Sequence, residues 1–153
     1  MNKFFIITII LILLNGCSYQ PIFSNKEYDF KFVNINFEGD KKINNNIKSK
    51  LTSETDDGKK YDIFFTSRKE KEIVSSNEKG DPKIYKLKIY VEYSLEENGK
   101  KIFDDIIIEQ VNYNNMTDKF KLSQYETNII NDLSNNIASR IIVTVATLKL
   151  NKW

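Results

Sequence analysis

Apolar and polar positions follow two rhythms along this chain, and the change from one to the other predicts its elements. Residues 28–37 alternate with period two, first in Phe30 and Phe32 and then, displaced by one, in Val33, Ile35 and Phe37. Successive strand side chains point to opposite faces, so a slipped phase predicts a bulged strand. Asp40 stands where a helix N-cap is wanted, and Ile43, Ile47 and Leu51 recur every four residues. That spacing predicts a helix from 41 to about 52 with a narrow apolar stripe. Three apolar residues do not hold a helix in water, so this one must dock on a sheet. Residues 61–76 predict a second strand, with Tyr61, Ile63 and Phe65 on one face and a charged far end at 68–72 that projects into solvent. The third strand is the clearest: Tyr85, Leu87, Ile89, Val91, Tyr93 and Leu95 share a face, and Lys86, Lys88, Glu92 and Glu96 share the other.

Asn98-Gly99 predicts a two-residue type I′ hairpin turn, because both of its central residues need positive φ. A regular hairpin there sets Glu97 opposite Lys100, Glu96 opposite Lys101, Leu95 opposite Ile102, Val91 opposite Ile106, Ile89 opposite Ile108 and Lys88 opposite Glu109. It buries Ile106 and Ile108 and leaves one mismatch, Glu92 against Asp105; a slip of one residue would turn both isoleucines outward. The fourth strand is expected over 101–113. A long helix closes the chain, with Ser123 and Glu126 at capping-box spacing and Tyr125, Ile129, Leu133, Ile137, Ile141 and Val145 repeating every four residues. Residues 141–145 are all β-branched, which lends them strand propensity, but the unbroken apolar face favours a helix to about residue 148.

The order strand, helix, strand, strand, strand, helix predicts an α+β fold: a two-layer sandwich in which a four-stranded mixed sheet is covered on one face by two helices. The first two strands, joined through a helix, should be parallel with a right-handed crossover, and the others an antiparallel meander.

Ahead of this body, residues 4–14 are an apolar run opened by Lys3 and closed by Leu14-Asn15-Gly16-Cys17. An apolar core of this length, eleven residues with Thr8 among them, suits a secretory signal and is too short to cross a hydrocarbon core of roughly 30 Å. The closing residues resemble the lipobox of bacterial lipoproteins; Leu14 and Gly16 fit, and Asn15 is larger than the usual small residue. The resemblance implies that Cys17 receives a diacylglyceryl group, that the chain is cut before it, and that the new amine accepts a further acyl chain. Residues 1–16 are then a signal peptide, 17–27 a lipidated tether, and 28–153 one α+β domain. With Cys17 acylated the mature chain has no thiol left, so no disulfide is expected and packing alone must hold the fold.

Composition removes several function classes. The chain has 23 basic and 21 acidic residues, a balance that excludes a strongly basic nucleic-acid binder. It contains no histidine, the commonest general base near neutral pH and the commonest metal ligand. Asp104 and Asp105 are neighbours on a strand and face opposite ways, so they do not form a carboxylate pair. Asp56-Asp57-Gly58 lacks the further ligands of a calcium loop and reads as a turn. No Gly-rich phosphate loop and no Gly-x-Ser-x-Gly elbow occurs. No enzyme activity, catalytic residue, metal site or cofactor is expected. The run Asn44-Asn45-Asn46 and the Asn115-Met116-Thr117 sequon read as products of an Asn-rich composition.

Cys17-Ser18-Tyr19-Gln20-Pro21-Ile22-Phe23 resembles the Cys-Gly-Phe-(Gln/His)-Pro-Leu-Tyr start of the LptE family of lipopolysaccharide-assembly lipoproteins. Ser18 replaces the usual Gly, and Tyr19, Ile22 and Phe23 are conservative matches. Element order and the long closing helix extend the likeness over the mature chain as pattern, without further motifs. The resemblance implies a lipid-anchored protein on the periplasmic face of the cell outer membrane. Its partners would be an LptD-type outer-membrane β-barrel, which it plugs and helps to fold, and lipopolysaccharide, which it helps to deliver to the surface. Lipid A phosphates would be met by Lys and Arg. The densest basic group is Arg68, Lys69 and Lys71 with Lys79 and Lys83 near the next turn; the solvated end of a strand is its plainer reading. The alternative function is an auxiliary or binding lipoprotein of another envelope transport or barrel-assembly complex.

Overall fold

The computed structural model describes residues 30–52 and 58–150. The expected signal peptide and tether, with Cys17, lie outside the described residues. Six elements follow in the order β1 (Phe30–Gly39), α1 (Lys41–Leu51), β2 (Lys59–Ser76), β3 (Pro82–Glu97), β4 (Lys100–Asn114) and α2 (Lys119–Leu150). The four strands form one sheet in the order β1-β2-β3-β4. β1 and β2 are parallel, and the other neighbours are antiparallel. The α+β order and the mixed sheet are those expected from the pattern.

Local chemistry explains the joins. The β1 pairing shifts between Phe32 and Asn34, which makes Val33 the extra residue where the alternation slips. At the β1–α1 corner, Gly39 has φ +100°, and a Cβ there would run into the Ser67 carbonyl oxygen on β2. Asp40 caps α1, its Oδ1 accepting from the Lys42 and Ile43 amides at 3.0 and 3.2 Å. Ile43, Ile47 and Leu51 are buried against the sheet. Asn44 is not a by-product of composition: it is buried, its amide donates to the Glu38 carbonyl at 3.0 Å, and Ser67 Oγ donates to its Oδ1 at 2.6 Å. Asn46 donates to Asn131 at 2.9 Å and so ties α1 to α2. Asn115 likewise has a structural task, donating to the Pro82 carbonyl at 2.8 Å.

Two expectations fail. The hairpin turn is as foreseen, with φ of 55° at Asn98 and 73° at Gly99, and Glu97–Lys100 and Glu96–Lys101 pair as expected. The register then shifts by one, so that Leu95 faces Phe103, Val91 faces Ile107, Ile89 faces Glu109 and Lys88 faces Gln110. Ile107 is 2% exposed, whereas Ile106 and Ile108 are 57% and 50% exposed. The reason lies along the whole strand. The regular register would turn Gln110 and Asn112 toward the helices; the bulged one turns Val111 and Tyr113 there. It also sets Glu92 opposite Ile106 and removes the clash with Asp105.

The second failure is the capping box. Asp118, not Ser123, caps α2, its Oδ1 accepting from the Phe120 and Lys121 amides at 3.0 and 3.1 Å. The helix therefore begins a turn earlier. Leu122 joins the buried face while Tyr125 is 43% exposed. The β-branched segment after Arg140 is helical, and Ile137, Ile141 and Val145 sit at the centre of the core. At about 1.5 Å per residue, the 32 residues of α2 span roughly 48 Å. No helix among the described residues is long and apolar enough to cross a membrane.

Candidate functional site

The pleat divides the charged stretch of β2 between two faces. Odd positions point to the helices and even positions to the uncovered face. Lys69 bonds Asp40 at 2.7 Å, so the α1 cap also receives a cation. The Asp40 carboxyl is under opposing influences: burial raises its pKa, and the Lys69 hydrogen bond and the capped amides outweigh this and lower it. Lys71 reaches Glu126 on α2 at 2.6 Å and lies 4.0 Å from the centre of the Tyr85 ring. Tyr113 donates to the same Glu126 oxygen at 2.7 Å. Burial pushes the Tyr113 phenol up, and Glu126 adds to that. For Glu126 itself burial raises the pKa, but the hydrogen bonds from Lys71 and Tyr113 prevail and lower it. This cluster fastens the start of α2 to the far half of the sheet.

On the uncovered face, Arg68 stacks on the Tyr90 ring at 3.7 Å and pairs with Glu70, which also accepts from the Tyr90 hydroxyl at 2.9 Å. Glu72 lies between Lys88 at 2.8 Å and Lys86 at 4.0 Å, and the Lys88 hydrogen bond holds its carboxyl below the usual range. Phe64, Ile106 and Ile108 stand exposed. The charges of this face are thus paired mainly with one another.

Lys79 lies in the β2–β3 turn, which Asn77 organises by accepting from the Lys79 and Asp81 amides at 3.0 and 2.8 Å. Lys83 begins β3. Eight residues of strand separate Arg68 from the Ser76 end of β2, roughly 26 Å at about 3.3 Å per residue. The five candidate cations therefore do not form one patch: Arg68 is on the open face, Lys69 and Lys71 are on the helix face, and Lys79 and Lys83 are at the hairpin tip. Among the described residues no group of His, Cys, Asp and Glu is arranged to hold a metal ion.

A feature that periodicity did not reveal is a cleft of about 630 Å³ at the other end of the sheet. Phe30 and Phe32 from the start of β1, Leu51 from the end of α1, and Ile142 and Val143 from α2 supply its apolar wall, with Lys50 among its polar lining. It is assembled from three segments far apart in sequence, and no single stretch carries a sign of it.

A four-stranded mixed sheet with a short and a long helix, a paired-charge outer face and a largely apolar cleft defines a small α+β domain. The same architecture occurs in bacterial lipoproteins. Rare lipoprotein B from Shewanella oneidensis superposes with a TM-score of 0.60 at 15% identity, over 77% of this chain and 97% of that one. A minor lipoprotein from Acinetobacter baumannii gives 0.57 at 13% identity over 80% and 93%. A lipoprotein from Caulobacter crescentus gives 0.56 at 13% over 78% and 92%. The fold is thus of the LptE type. No family model and no curated protein matches the chain by sequence.

Proposed function

We propose that this chain is an outer-membrane lipoprotein that occupies and helps assemble a lipopolysaccharide-translocating β-barrel. The observation that carries the reading is the joint occurrence of an LptE-type fold with a Cys17 start that resembles that family's. The role asks for no catalytic step, in keeping with a chain without histidine. A body seated in a barrel needs a polar, compact exterior, because the lumen of a large barrel is polar. The self-paired charges of the open face suit that. Lipopolysaccharide phosphates would first meet Lys79 and Lys83 at the hairpin tip, since Arg68, Lys69 and Lys71 already hold carboxylates.

An affinity-tagged copy, extracted in mild detergent, is expected to bring down a large outer-membrane barrel in one-to-one proportion. Recovery of an inner-membrane transporter, or of the lipoprotein by itself after gentle cross-linking, would overturn this reading. The first of these outcomes would favour an auxiliary subunit of another envelope complex.

A further inference from the structure

The two edges of the sheet are built differently. β1 is a ten-residue edge, bulged at Val33 and pinned beside the bulge by Asn34, whose amide and side chain both donate to Asp62. β4 is fifteen residues long, and from Ile106 to Tyr113 it contains no Pro, Gly or Lys. Its one charge in that stretch, Glu109, is held by Arg140. Sheet edges are normally blunted by lysine, proline, a bulge or shortness, because an open edge is a template for a further strand. The pairing of β4 with β3 runs without a shift from Phe103 to Asn114, and this fixes where each backbone group points. The Asn115 amide donates to the Lys83 carbonyl at 2.9 Å, so odd positions turn toward β3. The Ile106 amide, at an even position, donates instead to Oδ1 of its neighbour Asp105 at 2.8 Å. The even positions from 104 to 112 therefore direct both amide and carbonyl away from β3.

We propose that the outer edge of β4 pairs antiparallel with β4 of a second copy of this chain, about a two-fold axis at Ile108, to make one continuous eight-stranded sheet. A two-fold contact must be complementary to itself, and the charges of β4 choose the register. Centring the pair on Ile107 would set Asp105 against Glu109 of the second copy, and centring it on Glu109 would set two glutamates face to face; like charges directly opposite are destabilising. Centring on Ile108 opposes no two charges. It pairs Phe103 with Tyr113, Asp104 with Asn112, Asp105 with Val111, Ile106 with Gln110 and Ile107 with Glu109 of the second copy. It also uses the whole of 103–113, whereas centres at Ile106 and Gln110 run into the bulge or off the end of the strand. The five outward positions then exchange about ten backbone hydrogen bonds, and a carbonyl of the second copy replaces the Asp105 carboxylate on the Ile106 amide.

Side chains on the open face favour the same register. Ile106 and Ile108 are both half or more exposed, and Ile108 stands opposite Tyr90 of β3. Pairing sets Ile108 on Ile108 of the second copy, with each Ile106 diagonal to the other copy's Ile108, so four isoleucines form one patch across the axis and leave water together. The pairing also closes an edge that would otherwise template aggregation. It concerns copies not seated in a barrel; it goes beyond the barrel reading, does not rest on it and is tested without a barrel.

The experiment uses the full chain in membranes of cells that produce it in excess, with single cysteines at Ile108→Cys, Ile106→Cys or Gln110→Cys and diamide as the oxidant; the unsubstituted chain, whose one cysteine is Cys17, is the blank. Opposite residues in the outward pairs lie about 5.5 Å apart between Cα atoms, inside the disulfide range of roughly 4.4–6.8 Å. At position 108 the two copies meet at that distance, whereas at 106 or 110 they are displaced by four residues, roughly 13 Å at about 3.3 Å per residue. A disulfide-linked dimer forming at least tenfold faster from Ile108→Cys than from the other two is expected. Equal rates at the three positions, no dimer from any of them, or a bond from position 108 to a different protein would each overturn the proposal. Gln110→Pro removes only an outward amide and so spares the β3 pairing; added to Ile108→Cys it is expected to slow the dimer at least tenfold. Ile106→Lys, which leaves the backbone untouched, is expected to do the same by blunting the edge. A dimer that forms as fast with both changes would show that the copies do not meet through β4.

Discussion

Alanine placed in turn at 106, 107 and 108 distinguishes the two registers open to β4. Ile→Ala removes three carbons. Ile107 is 2% exposed, so at about 0.8 kcal/mol per buried CH₂ the lost transfer energy is roughly 2.4 kcal/mol. The cavity left beneath α2 adds to this, giving about 3 kcal/mol, inside the range of roughly 2–5 found for buried aliphatic truncations. Ile106 and Ile108 already have half or more of their surface in water, so the same truncation costs about 1 kcal/mol or less, including lost strand propensity. The difference of about 2 kcal/mol corresponds to roughly 8 °C in Tm for a domain of this size. Urea unfolding of a non-acylated Cys17→Ser form, followed by circular dichroism, reads it directly. If Ile106→Ala or Ile108→Ala proves as costly as Ile107→Ala, the hairpin is unbulged and the account of β4 is refuted.

Three further outcomes follow from the corner and the clamp. Gly39→Ala should destabilise by more than about 2 kcal/mol, since it combines a positive φ with a collision at Ser67; thermal melting that shifts by less than a few degrees would contradict the corner geometry. Asp40→Ala should cost about 1–2 kcal/mol through the lost cap, while Asp40→Asn, which keeps an accepting oxygen and loses only the Lys69 ion pair, should cost a few tenths; equal losses in urea melts would show that the ion pair and not the cap dominates. Glu126 has a lowered pKa in the folded protein, so its stabilisation is present above the unfolded carboxyl value of about 4.3 and is lost as pH falls through the lower folded value. Glu126→Gln should therefore flatten the fall in stability below about pH 4.5 and cost about 1 kcal/mol at pH 7; an identical pH profile in the two proteins would rule out the clamp.

Most of the architecture was legible because strand and helix periods differ and turn chemistry is local. Asp40 next to a four-residue apolar repeat, the slipped phase at Val33 and the Asn98-Gly99 turn each announce themselves within a few residues. The β4 register did not. Ile106, Ile107 and Ile108 are three equivalent side chains in a row, and either phase buries apolar surface. The choice falls to Val111 and Tyr113, and to Arg140 of α2, which bonds Glu109 at 2.8 Å. The start of α2 was misread for a related reason. Ser123 and Glu126 have the right spacing, but Glu126 is taken up by Lys71 and Tyr113, partners that only the tertiary fold supplies.

The basic group on β2 shows why a charge run is a poor guide to a binding surface here. Arg68, Lys69 and Lys71 look continuous along the chain, yet a strand sends neighbours to opposite faces. Each then finds a carboxylate from a different place: Glu70 two residues on, Asp40 at the head of α1, and Glu126 near the start of α2. The last two pairs join sheet to helices, and all three leave little unbalanced charge along the middle of β2. Opposite properties collect at the two ends of the domain, an apolar cleft where the chain enters and a lysine-bearing turn at the far tip.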